Sequence, residues 1–125
     1  MRLLLDSHVL IWWLADDPRL RSEARAAVAS AESLVAVSAA TAWELSIKIA
    51  AGKLEVPGDL KQQLAQTGFS SLPVTAEHAF LAGSLPPHHT DPFDRMLVAQ
   101  AQLEGFTLVT RDPRIAAYGV ATLVA

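Results

Sequence analysis

Apolar positions along this chain follow two rhythms. In short unbroken runs every residue is apolar, while elsewhere apolar residues return every third or fourth position. Leu3-Leu4-Leu5 and Leu34-Val35-Ala36-Val37 belong to the first kind and predict buried strands, and Leu108-Val109 marks another from Thr107 to Val109. Phe69-Ser70-Ser71-Leu72-Pro73-Val74 and Ala121 to Val124 predict two further short strands. Between them the helical rhythm takes over. Ser7 is placed to cap a helix from His8 to Ala15 that Asp16-Asp17-Pro18 stops, and Leu20, Ala24, Ala27 and Val28 mark the next. Ser38 caps a helix that runs to Gly52, a polar helix covers Asp59 to Gln66, and Thr75 caps one reaching Leu81. A loop rich in Pro and His, Gly83 to Thr90, precedes a helix opened by Asp91-Pro92, and a last short helix follows Pro113.

Strands apolar on both faces, alternating with helices, predict a three-layer α/β/α fold with a central parallel sheet. With no internal repeat, low-complexity tract or linker, residues 1–125 read as one domain. Such sheets bind ligands in the crevice beyond the carboxyl ends of their strands. Polar residues at those ends are therefore where chemistry is sought.

Four acids stand there. Asp6 ends the first strand, Glu44 lies in the helix after the second, Asp94 opens the helix after Asp91-Pro92, and Asp112 follows Thr107–Arg111. Carboxylates gathered in one crevice repel one another unless a cation lies between them, so the set reads as a hard-metal site. Each also has a plainer explanation. Asp6 suits a helix cap or surface turn. Glu44 and Lys48 suit an exposed ion pair in the favourable order. Asp91 explains itself as an N-cap with Pro92 at the first helical position, leaving Asp94 only the helix dipole, worth ~0.3–1 kcal/mol. Asp112 before Pro113 suits a cap equally well. Asp91 is accordingly assigned to structure and Asp94 to metal. A nucleophilic Asp of the haloacid-dehalogenase kind also follows such a strand, but its chemistry needs a second Asp where His8 stands.

His88-His89 offers a rival, since paired histidines act as general acid and base in metal-independent ribonucleases. Neighbours in an extended loop point apart, however, and a solvated loop or partner contact accounts for both. Trp12-Trp13 and Trp43 lie in no basic exposed run and suit core or subunit contact better than base stacking.

Composition narrows the field a little. Hydrophobic residues make up 51% and charged residues 18%, enough apolar surface for a folded core. The net charge of -3 argues against binding nucleic acid by bulk charge, although without the four acids the balance turns slightly positive. No cysteine is present, which removes disulfides, thiolate metal sites and a cysteine nucleophile and fits a reducing cytoplasm. Asp6 and His8 break the apolar start before it can serve as a signal peptide, and no apolar run approaches the ~20 residues that span a bilayer. A cytoplasmic protein is expected.

Taken in order, Leu4-Leu5-Asp6-Ser7-His8, Ser38-Ala39-Ala40-Thr41-Ala42-Trp43-Glu44-Leu45, His89-Thr90-Asp91-Pro92-Phe93-Asp94-Arg95 with Ala99-Gln100-Ala101, and Leu108-Val109-Thr110-Arg111-Asp112 resemble the PIN domain, and within it the VapC-type toxins of bacterial toxin–antitoxin pairs. The Asp-Pro-Phe-Asp-Arg segment is specific and the others diagnostic only in combination. The resemblance covers almost the whole chain. It implies that Asp6, Glu44, Asp94 and Asp112 hold one or two Mg²⁺ or Mn²⁺ ions, and that the first and fourth strands are adjacent at the switch point. It further implies endonucleolytic cleavage of RNA, often tRNA or ribosomal RNA, a homodimer, and a small antitoxin that blocks the site. Asp91 appears in only part of that family. Around the metal, Ser7 and Thr110 are expected as hydrogen-bonding partners or water ligands, and Arg95 or Arg111 as a phosphate contact. Metal-assisted hydrolysis predicts a 5′-phosphate and a 3′-hydroxyl. Two other classes stay open here, a catalytically silent module that binds RNA or a partner, and a metal-dependent phosphatase acting on small molecules.

Overall fold

The computed structural model describes residues 1–125. Five strands, β1 (Arg2–Leu5), β2 (Leu34–Ser38), β3 (Ser70–Leu72), β4 (Thr107–Thr110) and β5 (Thr122–Val124), form one sheet in the order β3-β2-β1-β4-β5. All four pairings are parallel. β1 is central, with Leu4 opposite Ala36 on one side and Leu108 on the other. Parallel neighbours need long crossovers, and seven helices provide them: α1 (Ser7–Leu14), α2 (Ser22–Ala29), α3 (Ala39–Ala50), α4 (Leu60–Gln66), α5 (Ala76–Ser84), α6 (Pro92–Glu104) and α7 (Pro113–Ala116).

Side chains alternate across a strand, and here the alternation separates two cores. Leu3 and Leu5 face a layer containing Val9, Leu10, Trp12, Ala24, Val28 and Leu45, from α1, α2 and α3. Leu4 faces the other way, with Ala36 and Leu108, onto Leu97, Val98 and Ala101 of α6 and Ile115 of α7. The unbroken leucines are thus explained. A strand covered on both faces has no solvated side to give to polar residues. The fold is three-layered, as the sequence predicts.

Local signals set most boundaries. Ser38 accepts the Ala40 N–H at 3.0 Å to start α3, and Asp91 accepts those of Phe93 and Asp94 to start α6. Gly105 ends α6 in the left-handed conformation, φ 71°, which costs glycine little. Two expectations need correction. Ser7 is the first residue of α1 rather than its cap; Asp6 caps that helix, its carboxylate accepting the Val9 N–H at 2.9 Å. α5 does not stop at Leu81 but runs to Ser84, because a lone Gly83 weakens a helix without ending it, and the chain turns away only before Pro86.

α5 is fastened to α6 by polar contacts as well as by packing. Buried His78 accepts the Thr75 N–H on Nδ1 at 3.0 Å, so its Nε2 carries the proton and donates to Glu104 at 2.8 Å. The tryptophans divide: Trp12 joins the core, whereas Trp43 is 65% exposed and meets Phe93 edge-on. No helix is long and apolar enough to cross a membrane.

The central strand carries much of this stability. Leu4→Ala should destabilise by ~2–5 kcal/mol, because α6 on one side and the sheet on the other leave little room to collapse into the cavity. Urea unfolding should show a lower midpoint with an unchanged slope.

Candidate active site

Strand order reverses between β1 and β4, with β2 and β3 on one side and β5 on the other. The chain leaves both central strands at this switch point and diverges, opening a crevice. A cavity of about 290 Å³ lies there, lined by Asp6, Ser7, His8, Glu44, Lys48, His89, Thr90, Asp91, Asp94, Asp112 and Arg114. None of these is hydrophobic. A larger cleft of about 420 Å³ beside α1 and α4 holds Glu55 as its only charged residue and offers no comparable chemistry.

The carboxylates arrive from four parts of the chain. Asp6 is carried by the end of β1, and Glu44 by the second turn of α3, where its side chain is only 6% exposed and accepts from Lys48 Nζ at 2.7 Å. Asp91 and Asp94 come from the start of α6, and Asp112 from the turn after β4. Asp6, Asp91 and Asp112 are also the N-caps of α1, α6 and α7. Capping and convergence are therefore the same event. Each cap gives one oxygen to a helix N-terminus, where a negative charge is favoured, and the helix starts hold the acids around one space.

Electrostatics in the cavity are uneven. Asp94 is pushed up from 3.8 to about 7, first by burial, then by Asp91 and more weakly by Asp6 and Glu44, with His89 acting in the opposite sense. Asp6 is raised by burial, offset in part by a hydrogen bond from Thr110 and by the Val9 N–H. Asp112 goes the other way, down to about 2, chiefly because the Arg114 side chain hydrogen-bonds it. Arg114 reaches back from α7 with Nε 3.1 Å from Oδ1 and Nη2 2.9 Å from Oδ2.

His89 ties two of the acids together. It is 4% exposed, with Nε2 at 2.9 Å from Asp112 Oδ2 and 3.1 Å from Asp94 Oδ2. Its Nδ1 accepts the Asp91 N–H at 3.0 Å, so the proton resides on Nε2. His89, Asp94 and Asp112 are close enough to form a metal-binding trio on distance alone. In this tautomer, however, the Nε2 that faces the acids is a donor. In this arrangement His89 orients the two carboxylates.

Comparison with known proteins agrees with this geometry. The PIN domain family model matches residues 3–121. The chain belongs to the PIN-domain family. Ribonuclease VapC22 of Mycobacterium tuberculosis is 35% identical over 120 residues, covering 90% of this chain and 88% of that protein. Among solved structures, a toxin–antitoxin complex from Klebsiella pneumoniae superposes with a TM-score of 0.69 at 20% identity, covering 98% of this chain and 96% of that one. VapBC2 from Rickettsia felis, bound to a DNA fragment from its promoter, gives 0.71 at 14% identity and covers 98% of both chains. At such identities the two structures speak for the fold.

In this PIN domain the structure brings Asp6, Glu44, Asp94 and Asp112 to one cavity and adds Asp91, which both caps α6 and lines the space. Ser7 lines it too, and Thr110 lies beneath it, its hydroxyl accepting the Asp112 N–H at 3.1 Å. The two arginines expected at a phosphate both donate to main-chain carbonyls. Arg95 donates to the carbonyls of Ala82, Leu85, Pro86 and His89, tying down the loop that presents His89. Arg111 donates to the carbonyls of Ala125 and Arg19 and lies over the Trp12 ring at 4.5 Å. Lys48 and Arg114 line the acid cavity itself, while Arg19 and Arg111 line an adjoining cavity of about 480 Å³ with Asp6 and Asp112. The reading of His89 as a solvated loop residue is corrected as well. His88 alone fits it, exposed and edge-on to Tyr118. The one clue to His89 was its place two residues before the Asp91 cap. For Arg114 it was its place two residues after the Asp112 cap.

The donor set suits a hard divalent cation. Oxygen ligands dominate, no thiolate is present, and Asp94 is driven toward protonation first by burial and then by the charge of Asp91.

That upward shift predicts a pH dependence. In chelator, Asp94 is ionised above 3.8 when unfolded but only above about 7 when folded, so the folded state holds the extra proton in between. Stability is complete below the lower value and falls as pH rises through the higher one, by on the order of a few kcal/mol. Asp112, held down to about 2, loses its contribution only at lower pH, outside this window. Thermal melts of the metal-free protein should therefore shift downward from pH ~4 to ~8. Asp94→Asn should flatten the slope in large part, Asp6 being raised in the same sense, whereas Asp91→Ala should cost ~1 kcal/mol as a lost cap and flatten the slope only in part, through its weaker push on Asp94.

Proposed function

We propose that this PIN domain is an endoribonuclease that hydrolyses RNA phosphodiester bonds with Mg²⁺ or Mn²⁺, the toxin half of a toxin–antitoxin pair. The observation that carries the reading is the convergence of Asp6, Glu44, Asp94 and Asp112 from separate elements on one wholly polar cavity, in a chain 35% identical to a ribonuclease. Neighbours solved as toxin–antitoxin complexes support a small antitoxin as partner. A homodimer in the cytoplasm, acting on tRNA or ribosomal RNA, completes the proposal.

Asp6, Glu44, Asp94 and Asp112 would hold the cation, with Asp91 beside them. When bound, it supplies positive charge against which negative charge developing on the phosphate is stabilised. The chain's own residues do the rest. Thr110 draws the Asp6 carboxyl down against its burial and braces Asp112 through its main chain. His89 holds the Asp94 and Asp112 carboxylates at a fixed separation, and Arg95 and Tyr118 hold His89. Ser7, at the first position of α1, presents its hydroxyl to the cavity as a donor for a phosphate oxygen. No ribose 2′-oxygen is needed as nucleophile, so products carry 5′-phosphate and 3′-hydroxyl ends.

The test is digestion of RNA in EDTA, then with Mg²⁺ or Mn²⁺ restored, with both product ends mapped. Cleavage should appear only with the ion. Cutting in EDTA that leaves 2′,3′-cyclic phosphate would transfer the chemistry to histidine and overturn the reading.

Asp6→Asn gives a second check. Asparagine caps a helix as well as aspartate does, so the fold should persist while cleavage is lost. Metal should then raise the melting temperature of the wild type more than that of the variant, since binding the native state stabilises by mass action. Equal shifts would remove Asp6 from the metal site.

A further inference from the structure

Lys48 and Arg114 are the lysine and arginine lining the acid cavity, and they approach it from different helices, α3 and α7. Each is paired to a carboxylate that the proposed function assigns to the cation, Lys48 to Glu44 at 2.7 Å and Arg114 to Asp112 at 2.9 Å. The pairs are lopsided in exposure. Glu44 and Asp112 are 6% and 21% exposed, whereas Lys48 and Arg114 are 41% and 60% exposed. The acids are fixed by their surroundings, and the cations are long chains reaching in from solvent. Such half-exposed pairs are weak, worth at most about fivefold in an equilibrium constant, and readily exchanged.

We propose that Lys48 and Arg114 are exchange cations: they neutralise Glu44 and Asp112 in the metal-free protein and pass to the non-bridging oxygens of an RNA phosphate when a divalent ion takes those carboxylates. This rests on the ribonuclease reading. A divalent ion bound by Glu44 and Asp112 repels the ammonium and guanidinium beside it. Both heads are tethered to short reaches of α3 and α7, so they remain at the mouth of the same cavity. An anionic phosphate entering there meets two freed donors from two helices, with the planar guanidinium able to take two oxygens. Arg95 and Arg111 are less free to do so, since most of their donors are committed to main-chain carbonyls.

Exchange makes opposite predictions for the two ligands. Lys48→Met and Arg114→Met, made separately in the full chain, should bind Mn²⁺ more tightly by up to about fivefold in calorimetric titration without RNA, because a competitor is gone. With Mn²⁺ present, the same variants should bind a short fluorescent phosphorothioate-linked RNA more weakly, with a salt dependence shallower by roughly 0.7 in log–log slope for each lost cation. Lys48→Arg and Arg114→Lys should restore RNA binding. A merely structural role weakens Mn²⁺ and RNA binding together, or leaves both unchanged; either result overturns the exchange. Wild-type protein that takes Mn²⁺ but binds no RNA would instead strike at the ribonuclease reading beneath it, and that outcome needs no variant to be seen.

Discussion

Mutual repulsion among carboxylates at the switch point of a parallel sheet is the constraint around which this molecule is arranged. Two such charges about 5 Å apart, at an effective dielectric near 20, oppose one another by ~3 kcal/mol, a large share of the stability of a domain this size. The chain meets this with several devices at once. Helix N-termini receive one oxygen each from Asp6, Asp91 and Asp112. His89 donates between Asp94 and Asp112, and Lys48 and Arg114 lend positive charge from outside. Asp94, buried as well as crowded by Asp91, is raised to about 7. A site left in that state takes up either protons or a cation.

Elements remote from the chemistry gain a purpose from this arrangement. α5 packs on α6 through the His78–Glu104 contact, and Arg95 stitches the end of α5 and the following loop to the first turns of α6. The same loop carries His89 into the cavity, where Tyr118 accepts its backbone N–H at 3.0 Å. Damage to Arg95 would thus reach the acids through His89 rather than through a phosphate. Stability and function share parts here, as expected where a polar network must be fully satisfied to be worth burying.

Functional and plain explanations of single residues turned out to be compatible. The Glu44–Lys48 pair exists at helical spacing, and Glu44 still lines the cavity. Asp112 caps α7 and also meets His89. Cap and ion-pair signals identify where an acid sits along the chain without deciding what lies opposite it. Weighing each acid alone therefore undervalued the set, whose meaning comes from convergence.

The sequence by itself pointed to the layered parallel architecture, since short unbroken apolar runs such as Leu3–Leu5, alternating with helical segments, fit strands covered on both faces. It determined the helix starts at Ser38, Thr75 and Asp91, because capping is a contact between residues two or three apart. It also marked the acids, which stand where strands give way to helices. Tertiary structure alone decided their companions. His89 meets Asp112 across 23 positions and Arg95 is spent on carbonyls of another helix, neither of which leaves a periodic trace in the chain. Arg111 and Arg114 are three residues apart and chemically alike, yet one stacks on Trp12 while the other grips Asp112. Their fates differ because the turn after β4 sends one side chain toward α1 and returns the other to the cavity. Local signals specify elements; only the packed sheet specifies which side chains those elements bring face to face.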